Sequence, residues 1–221
     1  MPQESKFIKA WLAIIAILGW FALAAQFYIN INSKAAPLPE IITRYFSYFT
    51  LDTNIIVALC CSFLLLSPAS GLGRFFSRPS TQTAISIYIL IVGIVYNVIL
   101  RFLWAPQGLQ KLVDELLHSV IPLLFVAYWF LFAARQPLQW KQVLPWLIYP
   151  FMYAVFVLIR GSFSGFFPYP FIDINKLGLN RSLINAAGLT GVFLVTSLVF
   201  VAISKWMGRG KETPAQKTTA L

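Results

Sequence analysis

The sequence predicts an all-α integral membrane protein, a single bundle of six transmembrane helices with both termini on the cytoplasmic side. Three observations carry that prediction. Only 11% of the 221 residues are charged and 59% are hydrophobic, whereas soluble domains carry about 25% charged residues. Six apolar runs reach the roughly 20 residues that a bilayer crossing needs. Basic residues concentrate on alternate connections, as the positive-inside rule requires.

Each element has its own local justification. The first run, 10–31, is too long for a signal-peptide core and lacks a small-residue cleavage site, so it is expected to stay as a helix. The second, 45–67, follows Pro37 and Pro39. The third, 83–104, follows Pro68, Gly71 and Gly73, and the fourth, 115–134, follows Pro106 and Gly108. Pro137 precedes the fifth, 142–160, and a stretch from Gly161 to Pro170 precedes the sixth, 182–205. Proline and glycine are the strongest punctuators of helices. Residues 1–206 therefore form one transmembrane domain, and the polar basic tail 207–221 is expected to be disordered. No internal repeat is visible, which gives an inverted-repeat transporter no support.

The side holding both termini, the second loop and the fourth loop carries Lys6, Lys9, Arg74, Arg78, Arg135, Lys141, Lys205, Arg209, Lys211 and Lys217. The opposite side carries the remaining seven of the 17 Lys and Arg, three of them (Arg44, Arg101 and Arg160) at helix ends, together with the acids Glu40, Asp114, Glu115 and Asp173. Both termini are thus expected in the cytoplasm. The net charge of +10 comes without a basic, aromatic-interleaved stripe on a soluble segment, so no nucleic-acid partner is expected. Cys60 and Cys61 are adjacent in an apolar run and unsuited to a structural disulfide. One histidine gives no metal-ligand set, and no cofactor is implied.

The polar residues are one-sided. With alternating helix direction, Gln26, Asn30, Thr50, Thr53, Asn54, Asn97, Arg101, Asp114, Glu115, His118, Arg160, Arg181 and Asn185 all fall in the outer half of the bilayer. Polar groups at that depth are expensive and mark function more often than not. Headgroup anchoring accounts for Arg44, Lys176 and Arg181 but less well for Asn97 and His118. At about 100° per residue, Thr50, Thr53 and Asn54 share a face while Asp52 turns away, to be paired with Arg101 or Arg160. Asp114 and His118 are i, i+4 neighbours, so the carboxyl can orient the imidazole. Pro122 removes the amide that would bond the His118 carbonyl, leaving a kink and a free acceptor. Asn97 and Arg101 likewise share a face. A hydroxyl nucleophile needs a base and an orienting third group; Thr50, His118 and Asp114 supply that set if the second and fourth helices touch.

The stretches "RYFSYFTLDTNIIVAL", "LLHSVIPLL" and "YPFMYAVFVLIRGSFSGFFPYPFIDINKLG" resemble bacterial six-helix relatives of the androgen-induced membrane proteins, over roughly residues 10–205. Animal members are intramembrane threonine hydrolases of fatty acid esters of hydroxy fatty acids. The resemblance implies a catalytic pair of Thr50 as nucleophile and His118 as base, and residence in the bacterial inner membrane. Animal members carry "His-Gly-Met-His" before the catalytic histidine, and this chain has "DELLH" instead. Asn54, Asn97 and Arg101 are then candidates for oxyanion stabilisation. Arg160, Arg181 and Asn185 are candidates for binding the lipid or fatty-acid ester substrate. The alternative is a non-enzymatic carrier or lipid-binding protein using the same polar pocket. The segment "GFFPYPF" at 165–171 reads as an interfacial aromatic belt, with a lid over the pocket as the second reading.

Overall fold

Prolines and glycines end the apolar runs, and the computed structural model, which describes residues 2–136 and 138–208, turns each run into a helix. The helices are α1 (Pro2–Asn32), α2 (Leu38–Tyr45), α3 (Phe49–Leu66), α4 (Gly71–Phe76), α5 (Pro79–Leu103), α6 (Gly108–Ala133), α7 (Trp140–Ser164), α8 (Ile174–Leu177) and α9 (Leu179–Gly208). Among the described residues there is no strand. Six of these helices, α1, α3, α5, α6, α7 and α9, are long and apolar enough to cross a membrane. The expected basic tail lies outside the described residues from Arg209 onward, and α9 runs to Gly208, past the expected end at 205.

The second predicted run begins late. Residues 38–45 form the separate short helix α2, and the chain breaks at Phe46–Tyr48 before α3 starts at Phe49. Pro39 sits in the first turn of α2, where its missing amide costs nothing. Two contacts hold the break. The Tyr45 hydroxyl donates to the Leu23 carbonyl of α1 at 2.9 Å. The Tyr153 hydroxyl of α7 donates to the Ser47 carbonyl at 2.8 Å and accepts from the Phe49 amide at 3.1 Å. Periodicity alone reads straight through this break, because the residues next to it, Tyr45 and Phe49, are aromatic and no proline or glycine marks it.

Helix α5 is the centre of the bundle, packing on α3, α6 and α9, while α1 lies against both α3 and α6. Small residues allow close approach where lipid supplies no hydrophobic drive between helices. A Cβ on Gly19 of α1 would stand 3.2 Å from the Ala58 Cβ of α3. At one end of the bundle Phe7 meets Phe132, and the Ser204 hydroxyl donates to the Gln136 carbonyl at 2.7 Å. The start of α1 and the end of α9 therefore share that end. Outward faces are apolar, with Ile17, Leu123, Phe163 and Val195 all exposed.

Both α5 and α6 carry a π-helical turn at the opposite end, Tyr96–Leu100 and Leu116–Val120. Such turns insert one extra residue into the helix and frequently mark functional sites. Between α7 and α9 the chain leaves α7 through Gly165 (φ +70°) and enters α9 through Gly178 (φ +75°). Both are left-handed positions that only glycine adopts cheaply, and they bracket the strap 166–177.

Candidate active site

The π-turns Tyr96–Leu100 and Leu116–Val120 face each other, while a third, Trp129–Ala133, lies at the far end of α6. Pro122 has no amide to give, and the freed His118 carbonyl receives the Asn97 side-chain amide at 3.2 Å; the same nitrogen bonds the Gly93 carbonyl at 2.9 Å. Gly93 makes the approach possible: a Cβ there would lie 3.2 Å from both the His118 carbonyl oxygen and the Pro122 Cβ. The Tyr96 ring stacks on the His118 ring, with centroids 4.0 Å apart and planes 17° apart. The Tyr96 hydroxyl donates to the buried Asp114 carboxyl.

Asp114 fixes the imidazole. His118 Nδ1 lies 2.9 Å from the Asp114 carbonyl oxygen and 3.3 Å from its Oδ1. A carbonyl oxygen only accepts, so Nδ1 carries the proton and Nε2 of the neutral ring is left with its lone pair. This is the tautomer a general base requires.

Thr50 lies across the cavity in the first turn of α3, buried at 7% exposure. Its hydroxyl lies 3.3 Å from the Tyr169 hydroxyl, which also accepts the Thr50 amide at 3.2 Å. Thr50 and His118 are not hydrogen-bonded to each other. They line the same cavity of about 410 Å³, with Tyr96, Asp114 and Tyr169, a volume within the range of small-molecule pockets. Asn54 ties the two sides together: its Nδ2 donates to the Thr50 carbonyl at 2.8 Å and to the Leu117 carbonyl at 3.2 Å. Helices α3 and α6 therefore touch at the site. Both Asn54 N–H groups are committed to carbonyls, and its buried Oδ1 has no partner; Asn54 is placed as a strut beneath the cavity.

The remaining predicted residues are placed apart from Thr50. Arg101 forms a two-point ion pair with Glu115 at 2.6 and 2.7 Å and donates from Nε to the Asn97 side-chain Oδ1 at 2.9 Å. Its guanidinium also lies 5.3 Å from the Tyr96 ring centre. Arg160 reaches Glu40 Oε1 at 2.8 Å, and Arg44 bonds the same oxygen at 2.8 Å. The expected pairing of Asp52 with Arg101 or Arg160 is therefore wrong, since Glu115 and Glu40 take those cations. Asp52 forms no ion pair among the described residues and sits in the first turn of α3, where the positive end of the helix favours an acid. Arg181 stands exposed at the start of α9. Asn185 Nδ2 bonds the Phe171 carbonyl at 2.8 Å, anchoring the strap to α9.

The strap gives part of 165–171 a place over the cavity beside the belt reading. Tyr169 is buried, stacks on Phe171 at 5.2 Å and plugs the space over Thr50. Phe167 packs against Gly161 so closely that a Cβ there would lie 2.1 Å from its ring. Two cations lie against the Phe166 ring, Arg44 at 4.5 Å and Arg160 at 5.1 Å from its centre. The Arg44 guanidinium, seconded by that of Arg160, holds the Glu40 carboxyl below the usual carboxylate range. Burial pushes the Tyr169 phenol up to about 12, so it is neutral at physiological pH. Sequence reasoning missed Tyr96 and Tyr169; an aromatic within "GFFPYPF" gives no sign of the helix it will cap.

A narrow apolar crevice of about 50 Å³, lined by Ile91, Val95, Ala154, Leu189 and Phe193 of α5, α7 and α9, meets the cavity at Thr50, Leu100 and Tyr169. Comparison with known protein families, with curated proteins and with solved structures finds no match.

Proposed function

We propose that the chain is a multi-pass membrane hydrolase of a lipid or fatty-acid ester, with Thr50 as nucleophile and His118 as general base. The observation that carries this reading is the shared cavity: a buried threonine faces a histidine whose Asp114 contacts leave Nε2 free to accept a proton. The resemblance to the androgen-induced family, carried by the residues around Thr50 and His118, points the same way.

In the reaction the Thr50 hydroxyl gives its proton to His118 Nε2 as its oxygen attacks the ester carbonyl. The C–O bond to the alcohol breaks, and the alcohol leaves with that proton. A water, deprotonated by the same nitrogen, then attacks the acyl-threonine; its C–Oγ bond breaks, the Thr50 oxygen takes the proton back from Nε2, and the acid is released. The Thr50 amide is a natural oxyanion donor, because it lies at the amino end of an 18-residue helix, where backbone amides point outward and the dipole favours negative charge. The Tyr169 hydroxyl sits against both this amide and the Thr50 oxygen, in the place a substrate carbonyl would take. The strap is thus a latch that must lift before acylation. The acyl chain would follow the apolar crevice as the latch opens.

This reading sets the site in the outer half of the bilayer with the termini cytoplasmic. Turnover of a lipid ester by the purified protein in micelles tests it. Thr50→Ala and His118→Ala are each expected to abolish turnover while the helical circular-dichroism signal persists. Full activity in either variant sinks the mechanism, and ligand flux across proteoliposomes without hydrolysis would turn the reading to a carrier.

A further inference from the structure

The polar end of the cavity is built of carboxamides. Gln26 and Asn30 of α1 and Gln110 of α6 line it. Gln110 Nε2 donates to Gln26 Oε1 at 2.8 Å, and Gln26 Nε2 donates to Asn30 Oδ1 at 2.7 Å and to Gln110 Oε1 at 3.3 Å. Among the described lining residues there is no lysine or arginine. The nearby cations are already committed, Arg101 to Glu115 and both Arg44 and Arg160 to Glu40. The acid that does line the cavity is Asp114.

We infer that this end of the cavity binds an uncharged, hydroxyl-bearing head group, the chemistry of an acylglycerol, and discriminates against ligands carrying a free carboxylate. A carboxamide both donates and accepts, and so does a hydroxyl, so the two match in any rotation. A carboxylate only accepts. In this cavity it would meet the Asp114 carboxyl, and the one basic side chain on the lining, His118, is already turned to that carboxyl at 3.3 Å; a charge taken out of water without a partner of its own is strongly disfavoured. Asn30 Nδ2 makes no hydrogen bond among the described residues and Gln110 Nε2 makes one, so these two nitrogens have N–H groups left for the ligand. The inference rests on the hydrolase reading only in taking the head group to be that of an ester.

Binding to the Thr50→Ala variant tests the inference without turnover, so it stands or falls separately from the hydrolase reading. The probes are a 1-O-alkylglycerol ether and the fatty acid of equal chain length, compared at pH 8 by native mass spectrometry from the same detergent. The ether is expected to bind at least about tenfold more tightly, a difference of about 1.4 kcal/mol. Gln110→Lys, placing a cation at the carboxamide cluster, is expected to shrink or invert that ratio; Asn30→Lys serves the same purpose should Gln110→Lys fail to fold. Equal or tighter binding of the fatty acid, binding of neither probe, or a ratio unmoved by the added lysine overturns the inference.

Discussion

Replacing Tyr169 by Phe separates the latch from the chemistry. The ring and its stacking on Phe171 stay, and only the hydroxyl is lost, with its contacts to the Thr50 amide at 3.2 Å and the Thr50 oxygen at 3.3 Å. Both are long, and a hydrogen bond contributes about 0.5–1.5 kcal/mol net. The Thr50 amide, in the first helical turn, has no carbonyl of its own helix to turn to. The closed state should therefore lose about 1–2 kcal/mol. At about 2–4 °C per kcal/mol for a chain of this size, the melting midpoint should fall by a few degrees in thermal scans of the detergent-purified protein. The same loss makes the open, acylation-competent state easier to reach. Where latch opening limits the reaction, ester turnover should rise by about 5–30-fold, the factor that one or two kcal/mol represents. A Tyr169→Phe protein as inactive as Thr50→Ala would refute the latch, because the hydroxyl would then belong to the chemistry.

Gly93→Ala should push α5 from α6 at the His118 carbonyl, where its Cβ finds atoms at 3.2 Å; overpacking of this kind costs about 1–3 kcal/mol, to be read as a lowered melting midpoint. Gly161→Ala drives a methyl into the Phe167 ring and should raise protease cleavage within 166–177, whereas an unchanged digestion pattern would show that Phe167 does not seat the strap. The Glu40 carboxyl titrates below its ordinary value because Arg44 and Arg160 hold it. Its contribution is therefore complete at neutral pH and is lost as pH falls below about 4. Protection of the 165–178 amides, measured against their intrinsic exchange rates at each pH, should fall there, and Glu40→Gln should bring the same loss of protection at pH 7.

The six spans were legible because length and apolarity alone define them, and the helix breakers stood where the chain turns. The Asp114–His118 pair was legible too, since an i, i+4 spacing fixes its geometry without reference to any other helix. Pro122 announced a free carbonyl, but the donor that fills it, Asn97, depends on which helices are neighbours, and no spacing within one helix reveals that. The same blindness misdirected Arg101 and Arg160: Asp52, Glu40 and Glu115 are equally good acids in sequence, and only the packing of α5 against α6 and of α7 against α2 chooses among them. The π-turns at Tyr96–Leu100 and Leu116–Val120 leave no pattern, because one inserted residue shifts the apolar period by less than the sequence scatters. Tyr169 was hidden by chemistry of a different kind: an aromatic in a proline-rich loop serves a bilayer interface as readily as a buried helix end.

The most direct test of the central claim is the intact mass of the protein after reaction with a fluorophosphonate probe, followed by mapping of the modified residue. One adduct on Thr50 is predicted, missing in Thr50→Ala and strongly slowed in His118→Ala. Labelling that survives in Thr50→Ala, or that maps to another hydroxyl such as Thr53 or Tyr169, would contradict a threonine nucleophile at the head of α3.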